Sequence, residues 1–244
     1  MMWHYKVFRL LFWPVAYSLN KVRHLLDILH NPTEFYNHWT WPTSSPYPDD
    51  GQRLAKLWQE PTRRTIYVIS IDVHAWDLDQ SKITDIGLSI WYPNTHHEFD
   101  IRCFHWRIKE NMSLLNRHAP NEPDTFTFGG TEFISETDIA ANFEHLFSTF
   151  AVSQNVVIVG HRINLTMRLL KNHWKPPNTM TLLDTQNIWQ LQHQRLDQVT
   201  LEKALKTTLG VVYQDHLLHN AGNDAQFVLL LLQAQGLALL LSKH

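Results

Sequence analysis

Toward the end of this 244-residue chain, the run His219-Asn220-Ala221-Gly222-Asn223-Asp224 stands directly before a long apolar stretch. A histidine followed at this spacing by an aspartate can do two jobs at one place. The imidazole can take the proton of an attacking water, and the carboxylate can hold a divalent cation. By itself the pattern is common, and a loop histidine beside a helix-capping aspartate explains it as simply. Asp72 raises its weight. It follows the β-branched and aromatic run Thr65 to Ile71, which reads as a buried strand, so its side chain belongs at the rim of a sheet. A helix opening at Asp224 and packed on that rim would bring two distant carboxylates together. Mg2+ favours such oxygen ligands and bridges to a substrate phosphate.

The elements that must position these groups are legible. Lys82 to Tyr92 and Glu98 to Lys109 are strand-like and continue from the first strand as an antiparallel meander. Ser135 to Phe150 reads as a helix, with Ser135 and Asp138 as a capping box and Ile139, Phe143, Leu146, Phe147 and Phe150 as its apolar stripe. Asn155 to Val159 and Met180 to Leu183 are short apolar strands of the kind buried on both faces. Helices are expected from Leu165 to His173, from Leu201 to Leu209 between Thr200 and Gly210, and from Asp224 to Leu241. The result is an α/β fold, a mixed five-stranded sheet with helices on both faces. Leu229 to Leu232 and Leu237 to Leu241 read as core packing. Asn220, Gly222 and Asn223 read as turn residues tolerant of positive φ.

Upstream, residues 1–30 read as a helical extension in which Leu19, Val22, Leu25, Leu26 and Leu29 recur at helical spacing. Lys6, Arg9, Lys21 and Arg23 precede any acidic residue, a weak targeting profile that keeps a mitochondrial location beside a cytoplasmic or nuclear one. Arg9 and Pro14 interrupt the apolar run, so no transmembrane segment is formed. Residues 31–63, with five prolines, read as a linker. With Trp3, Trp13, Trp39, Trp41 and Trp58, residues 1–62 could serve as a docking arm for a protein partner. The domain proper is expected over 64–244.

Composition bounds the chemistry. Hydrophobic residues at 44% and charged residues at 18% are sufficient for a packed core. A formal net charge of −2 excludes bulk electrostatic capture of phosphates, so any nucleic-acid contact must be a local groove. The single cysteine, Cys103, excludes an internal disulfide framework and a Cys-based zinc site.

Six short pieces in order then carry a resemblance: Asp72 in ISIDVHAW, Thr84-Asp85-Ile86-Gly87, Phe126-Thr127-Phe128-Gly129, Val159-Gly160-His161, Leu183-Asp184-Thr185 and HNAGNDA. Over roughly residues 65 to 240 the chain resembles the DEDDh 3'-to-5' exonuclease-like domain of the ribonuclease-H-like superfamily, as found in fungal proteins related to yeast great-for-full-DEAD-box protein. The resemblance implies a divalent metal, Mg2+ or Mn2+, held by four acidic ligands, with a histidine as general base. Asp72, Asp224 and the base His219 match.

Two positions depart. The glutamate of the D-x-E pair is His74, and the aspartate expected after Gly160-His161 falls on Thr166. A threonine hydroxyl is neutral, and an imidazole suits Mn2+, Zn2+ or other transition ions better than Mg2+. Asp77 and Asp79 are placed on the strand turn and Asp85 in strand two, and none is assigned as a ligand. Arg162 and Arg168 are candidates for following a nucleic-acid backbone, and Lys171 shares their helix. The expectation is a degenerate exonuclease fold that binds RNA or single-stranded DNA with catalysis lost or strongly reduced. The alternatives are an active exonuclease in which Asp72, His74 and Asp224 hold one ion, and a non-enzymatic scaffold subunit.

Overall fold

In the computed structural model, the described residues are 48–58, 66–92, 101–151, 155–210 and 217–241. The expected helix over residues 1–30 and the tryptophans Trp3, Trp13, Trp39 and Trp41 lie outside them. Six strands form one mixed sheet in the order β4-β3-β2-β1-β5-β6. They are β1 (Ile66–Trp76), β2 (Asp79–Trp91), β3 (Ile101–Ile108), β4 (Thr131–Ile134), β5 (Asn155–Gly160) and β6 (Thr181–Asp184). The first three pair antiparallel, and β4, β5 and β6 each join parallel to a neighbour. The sheet therefore has one strand more than the five expected. The addition is β4, whose burial is partial, with Phe133 48% exposed, so that it leaves no apolar run to read.

Six α-helices accompany the sheet among the described residues: α1 (Pro48–Trp58), α2 (Ile139–Ala151), α3 (Ile163–Leu170), α4 (Thr185–His193), α5 (Leu201–Leu209) and α6 (Ala221–Leu241). Two of them correct the expectation. The stretch read as linker contains α1, whose Leu54, Leu57 and Trp58 are buried with β1 and α6 residues, so Trp58 is core and no part of a docking arm. Asp49 and Asp50 in its first turn and Lys56 in its last suit the helix dipole, and Pro48 stands at its first position, where proline does no harm. The second is α4, unread because Gln186, Gln190 and Gln192 are buried there. Gln192 donates to the Gln235 carbonyl and Gln235 donates to the Thr185 carbonyl, tying α4 to α6 through polar contacts that hydrophobic periodicity does not reveal.

Side-chain alternation along β1 decides which side of the sheet carries the chemistry. Ile69, Ile71 and Val73 pack into one cluster with Ile139 and Phe143 of α2 and Ile163 and Leu170 of α3. Ile66 and Val68 join Val228, Leu229 and Leu232 of α6 in another cluster, and the Ser70 hydroxyl donates to the Ala225 carbonyl. Asp72 and His74 continue that second series and fall on the α6 side. The leucines of α6 are core as expected: Leu229 and Leu232 meet the sheet, and Leu231 with Phe227 meets Trp189 and Leu205 of α4 and α5. A helix apolar on all sides is one buried on all sides. None of the described helices is long and apolar enough to cross a membrane.

Candidate metal and nucleic-acid site

Asp72 lies directly opposite Gly87 in the β1–β2 pair. A Cβ on Gly87 would sit 1.8 Å from the Ala221 carbonyl oxygen, so only glycine lets the first turn of α6 descend onto the sheet. Gly222 meets the same demand from the other side, since a Cβ there would fall 2.6 Å from the Phe126 ring and 2.9 Å from His105 Cβ. These two close approaches carry Asp224 to the strand that bears Asp72.

The result is a compact cluster. One donor atom each from Asp72, His74 and Asp224 lies within 4.8 Å of the others. His74 Nε2 is 3.0 Å from Asp72 Oδ2 and 3.4 Å from Asp224 Oδ2. Burial opposes charging the His74 ring, yet the hydrogen bonds to Asp224 and Asp72 outweigh it and raise its pKa well above the ordinary value. Asp224 is also raised, by burial first and by the nearby charge of Asp72, with His74 pulling the other way. The two directions compete for one shared proton, and its place is the imidazole, which touches both carboxylates.

The His219 backbone N–H donates to both carboxylate oxygens of Asp224, at 3.2 and 3.1 Å. His219 adopts a left-handed φ of 67°, and its ring is half-buried. Positive φ was expected at Asn220, Gly222 or Asn223 and falls on His219 instead. The two asparagines have another task. Asn223 accepts from Thr127 N–H and hydroxyl and donates to the Thr125 and Leu217 carbonyls, while Asn220 donates to the carbonyls of Glu122 and Pro123. Both are fully buried, and together they clamp loop 112–130 to the start of α6.

Through that loop Asn121 reaches the site. Its Oδ1 is 3.1 Å from His74 Nδ1, and its Nδ2 donates to Asp85 Oδ2 at 3.3 Å. Asp85 is 1% exposed, with His105 Nε2 and Arg107 Nε each 3.5 Å from Oδ1. Burial raises its pKa, but the adjacent His105 imidazole and the charge of His74 more than offset it, and the net shift is downward. Asp77 lies outside the cluster and accepts the N–H groups of Arg117 and His118.

Across residues 67–234 the chain matches the DEDDh family described as DNA polymerase III subunit epsilon-like, C-terminal domain. The chain belongs to that family. It is 29% identical over 166 residues to an uncharacterized nucleolar protein of Schizosaccharomyces pombe, covering 64% of this chain and 63% of that protein. It is 26% identical over 200 residues to an uncharacterized protein of Saccharomyces cerevisiae, covering 68% of this chain and 40% of the relative. The chain thus spans less than two thirds of either relative.

As a DEDDh domain, the chain presents its departures at definite places. His74 stands on β1 within the cluster. Thr166 is a buried residue of α3 and brings a neutral hydroxyl. Arg162 and Arg168 are exposed at the N-cap and last turn of that helix. Arg162 takes a left-handed conformation, with its N–H and that of Ile163 donating to the Asp184 carboxylate, so Asp184 is the fastener of the β5–α3 turn. The neighbouring His161 donates from Nε2 to the Val199 carbonyl, and Nδ1 faces the Thr185 hydroxyl. Asp72, His74 and Asp224 together could hold one metal ion, an imidazole beside two carboxylates being a donor set that suits transition ions better than Mg2+.

Proposed function

We propose that the chain is a degenerate DEDDh exonuclease-fold protein that binds RNA or single-stranded DNA and has lost two-ion phosphodiester hydrolysis, wholly or nearly so. The observation that carries this is the His74 ring lodged against both Asp72 and Asp224. In family members the corresponding position supplies an anionic oxygen, and divalent metal serves the chemistry. Here the site is left with two carboxylates, because Thr166 adds no charge. Two ions bridged by so few oxygens repel one another without compensation. The exposed Arg162 and Arg168 offer phosphate contacts on the helix that follows the β5 turn. The nucleolar relative supports a nuclear location.

A second reading is favoured by the convergence of three donor atoms within 4.8 Å. Asp72, His74 and Asp224 would hold one transition ion, which when bound would supply charge stabilisation to a phosphate oxygen. His219 would take the proton of the attacking water, its position set by the two bonds from its backbone N–H to Asp224.

An assay separates the two. Labelled oligonucleotides incubated with Mg2+ or Mn2+ should stay intact while binding the protein with salt-dependent affinity. Shortening from the 3' end in Mn2+ that disappears in Asp224→Ala would establish the second reading instead.

A further inference from the structure

The Asp85, Asn121 and His74 side chains form a chain of defined polarity. Asp85 is buried beside Arg107 and His105, and an ionised carboxylate can only accept hydrogen bonds. The amide of Asn121 must therefore turn its NH2 toward Asp85 Oδ2, which leaves its oxygen facing His74 Nδ1. An oxygen at 3.1 Å requires the proton on Nδ1. Nε2 points at Asp72 Oδ2 and Asp224 Oδ2, so an ion that takes the place of the proton shared among them would meet three donor atoms at one spot. Such a spot calls for a cation, and an imidazole whose other nitrogen is held by a fixed acceptor is how proteins prepare a histidine for metal.

We propose that Asp85 and Asn121 are positioning residues that lock His74 in the tautomer whose Nε2, with Asp72 and Asp224, receives one borderline divalent ion such as Zn2+ or Mn2+. The inference rests on the one-ion reading above and adds to it the residues that orient the ligand and the class of ion selected. One imidazole and two carboxylates neutralise a single divalent charge and favour a transition ion over Mg2+. Neither Asp85 nor Asn121 touches the ion position. Their effect passes through His74 alone.

The test is Zn2+ titration of the full chain by calorimetry, with thermal unfolding of each variant as a control. Asn121→Ala should weaken Zn2+ binding about 10- to 100-fold. The double variant Asp85→Asn with Asn121→Asp reverses the donor and acceptor between the two residues while still presenting an oxygen to Nδ1. It should return the affinity to within a few-fold of wild type. Long-range 1H–15N spectra of the histidine rings should show His74 protonated at Nδ1 in the wild-type and double-variant Zn2+ complexes. If wild type binds Zn2+ and Asn121→Ala binds it equally well, the positioning role is overturned while the one-ion site stands. No Zn2+ binding to wild type would overturn the one-ion site and the positioning role with it.

Discussion

The backbone oxygen of Ala221 occupies the space where a side chain on Gly87 would begin, and Gly87 lies opposite Asp72. The distance between the two site carboxylates is therefore set by the missing Cβ of a glycine on a third element.

Gly87→Ala should test this. The added Cβ would stand 1.8 Å from the Ala221 oxygen and 2.1 Å from its carbonyl carbon, backbone atoms that can yield only by moving α6. Overpacking of this kind costs on the order of 1–3 kcal/mol. We expect a lowered melting temperature and, in the protein that remains folded, weakened Zn2+ binding from the displacement of Asp224.

Trp58→Ala should behave as a core mutation. Trp58 is 3% exposed, its ring centroid is 5.7 Å from that of Trp91, and a Cβ on Gly236 would collide with the indole. A loss of about 3–5 kcal/mol is expected, read by denaturant unfolding. Nucleic-acid affinity of the folded fraction should be unchanged.

His161 gives the fold a defined acid sensitivity. Burial, only partly offset by the Val199 carbonyl and by Asp72, pushes its pKa down to about 4, against an ordinary value of 6.5. The folded ring resists protonation more than the unfolded one, so its contribution is intact above pH 6.5 and is lost as the pH falls toward 4. The interval corresponds to about 3 kcal/mol. Stability measured across that window should fall less steeply in His161→Gln than in wild type.

Asn223→Ala should free loop 112–130. Four hydrogen bonds of a fully buried amide are removed, and the peptide groups of Thr125, Thr127 and Leu217 lose their partner. A cost of about 1–3 kcal/mol is expected from such unsatisfied groups. Hydrogen exchange should quicken at the Thr127 amide.

Much of this was legible in linear order. Asp72 could be placed on the first strand from the β-branched run before it, although β1 runs on to Trp76 and does not end there, and Asp224 because a helix begins around it. His74 and Thr166 were legible as departures from a pattern. Asn121 was not, because it sits in an irregular loop and matters only through a residue 47 positions away. Asp85 was seen in strand two, but its bond to that loop has no linear signature. The fold was missed where polarity hid burial, in the glutamines of α4, and where exposure hid a strand, in β4.

Replacing the two departing residues should move the site toward the family's full set. His74→Glu with Thr166→Asp restores four carboxylates, and Mg2+-dependent shortening of oligonucleotides should appear that neither single change produces. The metal-free double variant should be less stable than wild type and recover with Mg2+, because like charges then face one another unrelieved.

Loss of hydrolysis with retention of binding is decided by incubating the wild-type chain with a 5'-labelled single-stranded RNA in excess Mg2+ and following both binding and product length. A degenerate site gives a retarded complex that weakens with salt and an RNA that keeps its full length. Progressive loss of nucleotides from the 3' end, abolished by Asp72→Ala, would contradict it.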